Sequence, residues 1–416
     1  MQNNYKPIGD YIQLVDERNK GLNVKQLLGL SISKQFIPSV ANIIGTDMEN
    51  YKIIRKNQFA CSTMQVRRDR KMPVALLQEV DEAIISQAYP IFEVKDEKVL
   101  LPEYLMMWFS REEFDREACF HAVGGVRGSL EWDDFCNMKF PLPSPEKQRE
   151  IVAEYTTVNN RIELNNKLIQ KLEETAQAIY KQWFVDFEFP DENGNPYKSS
   201  GGAMAYNEEL DKEIPEGWEV GVISDLVDVI DGDRGQNYPS IEDMSSEGHC
   251  LFLNAGNVTK DGFSFSDTKF ITEKKDKILR KGKLERNDVV LTSRGTVGNT
   301  GFFGKKVPYN HIRINSGMVI FRPNSYSEAS IFIYSMLRSF EMKKSIENFL
   351  SGSAQPQLPI KDLIKIPVIV PDLNTLQLFQ QFVLKLQDYV DEKKLQNSKL
   401  KQLTSLLLSK VATIEN

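Results

Sequence analysis

The chain has 416 residues, 52 Lys and Arg against 58 Asp and Glu, and a formal net charge of −6. Its 41% hydrophobic and 10% aromatic content fits two or three globular domains and excludes a disordered chain. No run approaches 18 apolar residues, so no membrane span is expected. The four cysteines show no CxxC spacing, and His121, His249 and His311 form no HExxH, so neither a zinc site nor a Cys/His dyad is indicated. The first six residues lack the apolar core of a secretory signal, so reduced thiols and a cytoplasmic location are expected. An acidic balance argues mildly against a dedicated nucleic-acid binder. Arg67-Arg68-Asp69-Arg70-Lys71 is nevertheless a local basic cluster.

Residues 1–145 read as a mixed, mostly β domain. Short apolar runs at 57–62 and 89–94 predict strands, and the Leu-, Met- and Glu-rich stretch 101–120 predicts a helix. Residues 146–190 form a long helical element, free of Pro and Gly from Glu146 to Phe184. At 1.5 Å per residue that span reaches roughly 55–60 Å. Residues 191–213 are a linker by their Gly, Pro, Asn and Ser content. A second globular domain covers 214–371, opening at Ile214-Pro215-Glu216-Gly217-Trp218, and 372–416 is a second long helix.

The two helices carry one pattern. Ile151, Tyr155, Val158, Ile162, Asn165, Ile169 and Leu172 step by four and three, and Ala176 extends the list. Shifted by 231, they become Phe382, Leu386, Tyr389, Lys393, Gln396, Leu400, Leu403 and Leu407. A 3.5-residue period puts one stripe on one side of a helix, which must bury against another helix. Asn165 and Gln396 are matching polar seam positions, the kind that fix register at some cost in stability. The globular parts echo each other too. Ile8–Ile12 resembles Ile223–Val227, Arg55–Ser62 resembles Arg286–Ser293, Ile84–Phe92 resembles Arg313–Phe321, and Gly124–Leu130 resembles Gly352–Leu358. Four echoes in order, plus the helices, indicate a tandem of domain and long helix.

This organisation resembles the specificity subunit of Type I restriction-modification systems over the whole chain. The resemblance is carried by Pro145-Glu146-Lys147-Gln148-Arg149-Glu150-Ile151-Val152, by Trp183-Phe184-Val185-Asp186-Phe187 leading into Gly194-Asn195-Pro196-Tyr197, by Pro215-Glu216-Gly217-Trp218, and by Gly352-Ser353-Ala354-Gln355-Pro356-Gln357-Leu358. Asp372-Leu373-Asn374-Thr375-Leu376 departs from the Glu-x-Gln-like helix start. The resemblance implies an α+β chain of two tandem mixed α/β target-recognition domains separated by two long antiparallel coiled-coil helices, with pseudo-two-fold symmetry. It implies that each domain reads half of a bipartite double-stranded DNA target in host defence. It implies two methyltransferase (modification) subunits docked on the helices, with S-adenosylmethionine on those subunits and no cofactor or metal on this chain. Restriction subunits complete the complex, and this chain does no chemistry itself.

Base edges and phosphates are contacted by Arg, Lys, Asn, Gln, Ser and Thr. In the second domain the Gly-rich loop after Val289-Val290-Leu291 offers Ser293, Arg294, Thr296 and Asn299, and the loop at 351–357 offers Ser353, Gln355 and Gln357. Arg313 is a further donor. In the first domain Arg67, Arg68, Arg70 and Lys71 follow the corresponding strand, and Arg127 lies in Gly124-Gly125-Val126-Arg127-Gly128. The same residues also fit polar hairpin turns and a solvated charged face. Two other functions compete. A single-chain methyltransferase or nuclease is disfavoured because Asn195-Pro196-Tyr197 lacks a second proline and no GxGxxG opens a helix. The stretch Asn299–Lys306 fails as a phosphate loop at both ends. A coiled-coil adaptor with two protein-binding heads and no DNA role remains open at this point.

Overall fold

The computed structural model describes residues 5–39, 47–324, 327–349 and 357–413. The chain divides into two compact units, residues 1–164 with 397–416, and residues 165–396. Each unit therefore takes a stretch of both long helices.

In the first unit Tyr5–Pro7 pairs antiparallel with Lys139–Pro141. A four-stranded sheet follows in the order Ile12–Val15, Ile91–Val94, Phe59–Cys61, Val74–Leu76, and Lys52–Arg55 pairs with Glu82–Ile85. The stretch expected as one helix at 101–120 is two, Pro102–Phe109 and Glu112–His121. The break falls at Ser110, whose hydroxyl donates to the Met106 carbonyl at 2.8 Å. The next residue, Arg111, is extended, with its guanidinium 4.3 Å over the Trp108 ring. The core is aromatic: Phe59 stacks on Phe92 at 4.9 Å, and Phe109 meets Phe59 edge-on. Such pairs add to the area they bury.

The second unit repeats that plan. Glu219–Val222 pairs with Pro367–Val370, and the four-stranded order is Val227–Asp231, Met318–Pro323, Val289–Thr292, Thr300–Phe302. Helices Ser330–Arg338 and Phe340–Asn348 follow the sheet, as the two helices do in the first unit. Here Cys250–Leu253 pairs in parallel with Ile312–Ile314, whereas the first unit pairs Lys52–Arg55 and Glu82–Ile85 antiparallel. The duplication is thus visible as topology, not only as echoed residues.

The long helices are Pro145–Phe184 and Leu373–Val411. Proline at the first helical position after Ser144 costs no hydrogen bond there. Three residues on, the Gln148 side chain is fully buried. It accepts from the Leu101 amide at 2.8 Å and donates to the Val99 and Pro143 carbonyls at 2.8 and 2.9 Å. The second helix opens differently. The Asp372 carboxylate accepts from the Thr375 amide at 3.0 Å, the Thr375 hydroxyl at 2.6 Å and the Trp218 indole at 3.0 Å. Burial alone would raise the Asp372 carboxyl, but the bonds from Thr375 and Trp218 outweigh it and hold it below the usual range. Asp372 and Thr375 thus replace the missing glutamine-type start.

Within each unit the two helix stretches run antiparallel. In the second, Phe379 near the start of one helix packs on Trp183 and Phe184 near the end of the other, at 5.7 and 4.9 Å. Asn165 donates to Gln396 at 3.1 Å, so the matching polar positions meet. In the first unit Leu408 and Val411 join the core beside Ile151, Val152 and Tyr155. The first helix buries Asn165 and Ile169 of its expected seam, with Ile151, Tyr155, Val158, Ile162 and Leu172 half-buried. The second helix differs from expectation. Phe382, Tyr389 and Leu403 are 54%, 56% and 43% exposed, while Val383, Val390, Asn397 and Val411 are buried. Leu386, Gln396, Leu400 and Leu407 are half-buried. The buried line runs one residue later than the apolar pattern, because part of that pattern belongs to an exposed stripe.

The linker is packed rather than loose. Phe189 lies between Tyr197 and Trp218, stacked at 4.5 and 4.9 Å, and the Asp191 carboxylate accepts from the Asn193 and Asn195 amides. A hairpin, Met204–Asn207 with Lys212–Pro215, completes it. Among the described residues no helix is long and apolar enough to cross a membrane.

Candidate nucleic-acid interface

In the first unit strand Phe59–Cys61 is wholly buried and delivers the chain to the short helix Val66–Asp69. Left-handed residues bound that helix on both sides, Gln65 at φ 64° and Arg70 at φ 52°. Val66 is buried and anchors it, which turns Arg67, Arg68, Arg70 and Lys71 outward. The loop 123–129 is tied alongside. Val66 and Arg68 donate backbone N–H groups to the Gly128 and Arg127 carbonyls at 3.0 and 3.4 Å, and Leu130 N–H donates to Thr63 at 2.9 Å. Arg67 Nη1 donates to the Gly124 carbonyl at 3.2 Å. Arg68 is paired with Asp69 at 2.6 Å, and that bond holds the Asp69 carboxyl below its usual range. Arg70, Lys71 and Arg127 are exposed and make no ion pair among the described residues.

The second unit builds the equivalent edge. Strand Val289–Thr292 runs into the loop 293–299, closed by hydrogen bonds from Thr292 N–H to the Asn299 carbonyl at 2.9 Å and from Gly298 N–H to Thr292 at 3.0 Å. Gly295 and Gly298 hold φ of 77° and 91°, which other residues adopt with strain. Leu358 N–H donates to the Ser293 carbonyl at 3.0 Å. This is the counterpart of Leu130 to Thr63, so both units fasten two loops together by the same backbone bond. Arg294 and Thr296 are exposed, and Gln357, also exposed, forms a bridge with Arg294. The Ser293 side chain is buried, and Asn299 donates its amide to the Val258 carbonyl at 3.0 Å, so both serve the loop's own shape. Ser353 and Gln355 lie outside the described residues.

Arg313 is placed elsewhere. It is 5% exposed, its Nε donates to Asp276, and its Nη groups donate to the Lys281 and Asp276 carbonyls at 2.7 and 2.8 Å. Its donors are used inside the unit, so it leaves the candidate surface.

Two basic segments that the sequence did not single out come to the same edge. Arg234 shares a cleft of about 280 Å³ with Asp231, Ser293, Arg294 and Gln357. A neighbouring cleft of about 450 Å³ is lined by Asp231, Arg280, Lys281, Lys283, Glu285 and Arg322, with Lys283 paired to Asp276 and Arg322 to Glu285, each at 2.7 Å. The Asp233 carboxylate joins the two segments by accepting the Gly235 and Arg280 N–H groups, both at 2.8 Å, and those bonds hold it below the usual range. The available signal was arginine or lysine beside glycine, in Gly232-Asp233-Arg234-Gly235 and Arg280-Lys281-Gly282-Lys283. What each edge offers chemically is an array of cations and backbone amides, the groups that bind phosphates and base edges. Among the described residues no cluster of His, Cys, Asp and Glu could hold a metal ion.

The chain is similar to known proteins along most of its length. The family model described as Type I restriction modification DNA specificity domain matches residues 41–174 and 215–405. The specificity subunit of the Type I restriction enzyme MjaIX of Methanocaldococcus jannaschii is 27% identical over 312 residues, covering 75% of this chain and 68% of that protein. The HindI specificity subunit of Haemophilus influenzae is 21% identical over 434 residues, covering 89% of each. The crystal structure of a Type I restriction-modification S subunit from M. genitalium covers 100% of this chain and 98% of its own, with TM-score 0.58 and 16% identity. That likeness is one of fold.

Proposed function

Because this chain belongs to the Type I restriction-modification DNA specificity family, as a specificity subunit of that system, we propose that its two domains each read one half of a bipartite double-stranded DNA target. The observation that carries this reading is the repeated edge. Two units with corresponding four-stranded sheets each present an arginine-bearing loop after the same buried strand, joined to a second loop by the same backbone bond. Phosphate contacts give affinity and base contacts give sequence preference. The unbroken helices act as the spacer that sets how many base pairs go unread. Major-groove sites recur about every 34–36 Å, and a helix of this length spans more than one turn.

The chain itself carries out no reaction. Two modification subunits, with S-adenosylmethionine bound to them, supply methyl transfer, and restriction subunits join them in the full complex. The apolar side chains left exposed on the second long helix, Phe382 and Tyr389 in one unit and Leu403 and Leu406 in the other, support such docking. The adaptor without a DNA role is not favoured by the family. The test is methylome sequencing of a host with and without this chain. A two-part methylated motif that disappears with the chain supports the reading, and an unchanged methylome overturns it.

A further inference from the structure

Loop 123–129 of the first unit combines features that polar turns do not. Val126 is 89% exposed and Val123 is 51% exposed. Phe120, at the end of the helix that leads into the loop, is also exposed. An exposed valine gains nothing from folding, yet the backbone around it is firmly set. Val123 and Ser129 exchange both backbone hydrogen bonds at 2.8 Å. Gly128 N–H closes a turn onto the Gly125 carbonyl at 3.1 Å. Gly128 holds φ 52°, and a Cβ there would sit 2.7 Å from Arg67 Cγ. Val126 and Arg127 are therefore the two corner residues of a preformed turn, side by side and facing out. Arg67 lies against this turn through its bond to the Gly124 carbonyl, and the Arg68 backbone is bonded to Arg127, so the apolar tip has cations directly beside it.

We propose that Val126 is a specificity residue that packs against the C5 methyl group of a thymine in one half of the DNA target, beside Arg127. This role rests on the DNA-reading function proposed above and adds the chemical group that is read. Cations around the tip fit a polyanion, and thymine's methyl is the apolar feature of the major-groove edge. A turn already fixed loses little freedom on binding, so a small contact is expressed in affinity. A protein partner docked on this tip is the competing occupant.

The test uses the complex of this chain with its modification subunits and the motif obtained by methylome sequencing. Labelled duplexes carry the motif with each thymine in turn replaced by uracil, which removes the methyl and keeps the hydrogen-bonding edge. For the wild type, one substitution should weaken binding roughly three- to fourfold, the effect of burying one methyl group. The Val126→Ala complex should bind the thymine duplex as weakly as the wild type binds the uracil duplex, and should not distinguish them. Equal responses of wild type and Val126→Ala to every uracil duplex overturn the proposal, as does a motif without an A·T pair in either half. Loss of the modification subunits from Val126→Ala on gel filtration, with the thymine preference intact, assigns the tip to a protein and also overturns it. Absence of any two-part motif for the wild type is a different result, and refutes the proposed function instead.

Discussion

Replacing Gln148 should loosen the start of the first long helix from its domain. The side chain is fully buried and makes three hydrogen bonds. In Gln148→Ala the Val99 carbonyl can turn to water, because Val99 is 40% exposed. The Leu101 amide and the carbonyl of buried Pro143 cannot do so readily. Two stranded polar groups at about 1–3 kcal/mol each give a loss of about 2–6 kcal/mol. A domain has about 5–15 kcal/mol in total, so the first unit should remain folded but open often. Hydrogen exchange read by mass spectrometry reports such openings locally. At about 1.4 kcal/mol per tenfold, the peptide holding the Leu101 amide should exchange roughly one and a half to four powers of ten faster. Gln148→Glu sharpens the test. Its carboxylate would keep the Leu101 bond but would face the Val99 and Pro143 carbonyls with no proton to give. The damage should be larger at pH 8 and partly relieved near pH 5, where the acid regains a donor. Unchanged protection of Leu101 in the alanine variant, or equal damage from glutamate at both pH values, would refute this account of the motif.

Other expectations follow from particular contacts. Asp391 on the second long helix is pushed up to about 6, chiefly by burial, with nearby Lys394 opposing; its Oδ2 has no hydrogen-bond partner among the described residues. The folded form therefore keeps a proton that an ordinary carboxyl at 3.8 releases, and the second unit loses about 3 kcal/mol of stability as pH rises from 4 through 6. Asp391→Asn should flatten that slope in urea unfolding followed by hydrogen exchange, and an equally steep slope would count against it. Phe379→Ala, which empties a fully buried site between Trp183 and Phe184, should cost about 3–5 kcal/mol, read as a lower midpoint for the second unit. Arg294→Ala should weaken DNA binding by roughly 1–3 kcal/mol and relax one base position, measured by binding at several salt concentrations. Arg313→Ala should instead destabilise the second unit by about 1.5–3 kcal/mol, because buried Asp276 loses the Arg313 bonds and keeps Lys283 at 2.7 Å. A preserved melting midpoint in that variant would put Arg313 back on the surface.

The large plan was legible because it rests on local periodicity and chain order. Two Pro- and Gly-free runs gave two helices, and four collinear echoes gave two units whose strand orders correspond. Details that depend on distant residues were not legible. The seam of the second helix was displaced by one because Phe382, Tyr389 and Leu403 imitate a core stripe while facing outward. The true line contains Thr375 and Asn397, which no apolar pattern marks. Arg313 looked available because its partner, Asp276, is 37 residues away in sequence. Arg234 and Arg280 escaped notice because Asp233 brings their segments together only in the fold. The exposed position of Arg294 was legible because the glycine-rich loop announces itself locally.

The stacked rings of Phe189, Tyr197 and Trp218 alter what the segment after the first long helix can do mechanically. A stretch so rich in glycine, asparagine and proline would ordinarily act as a swivel. Clamped in this way, it behaves as a bracket, so twisting the end of that helix applies torque to the second unit directly.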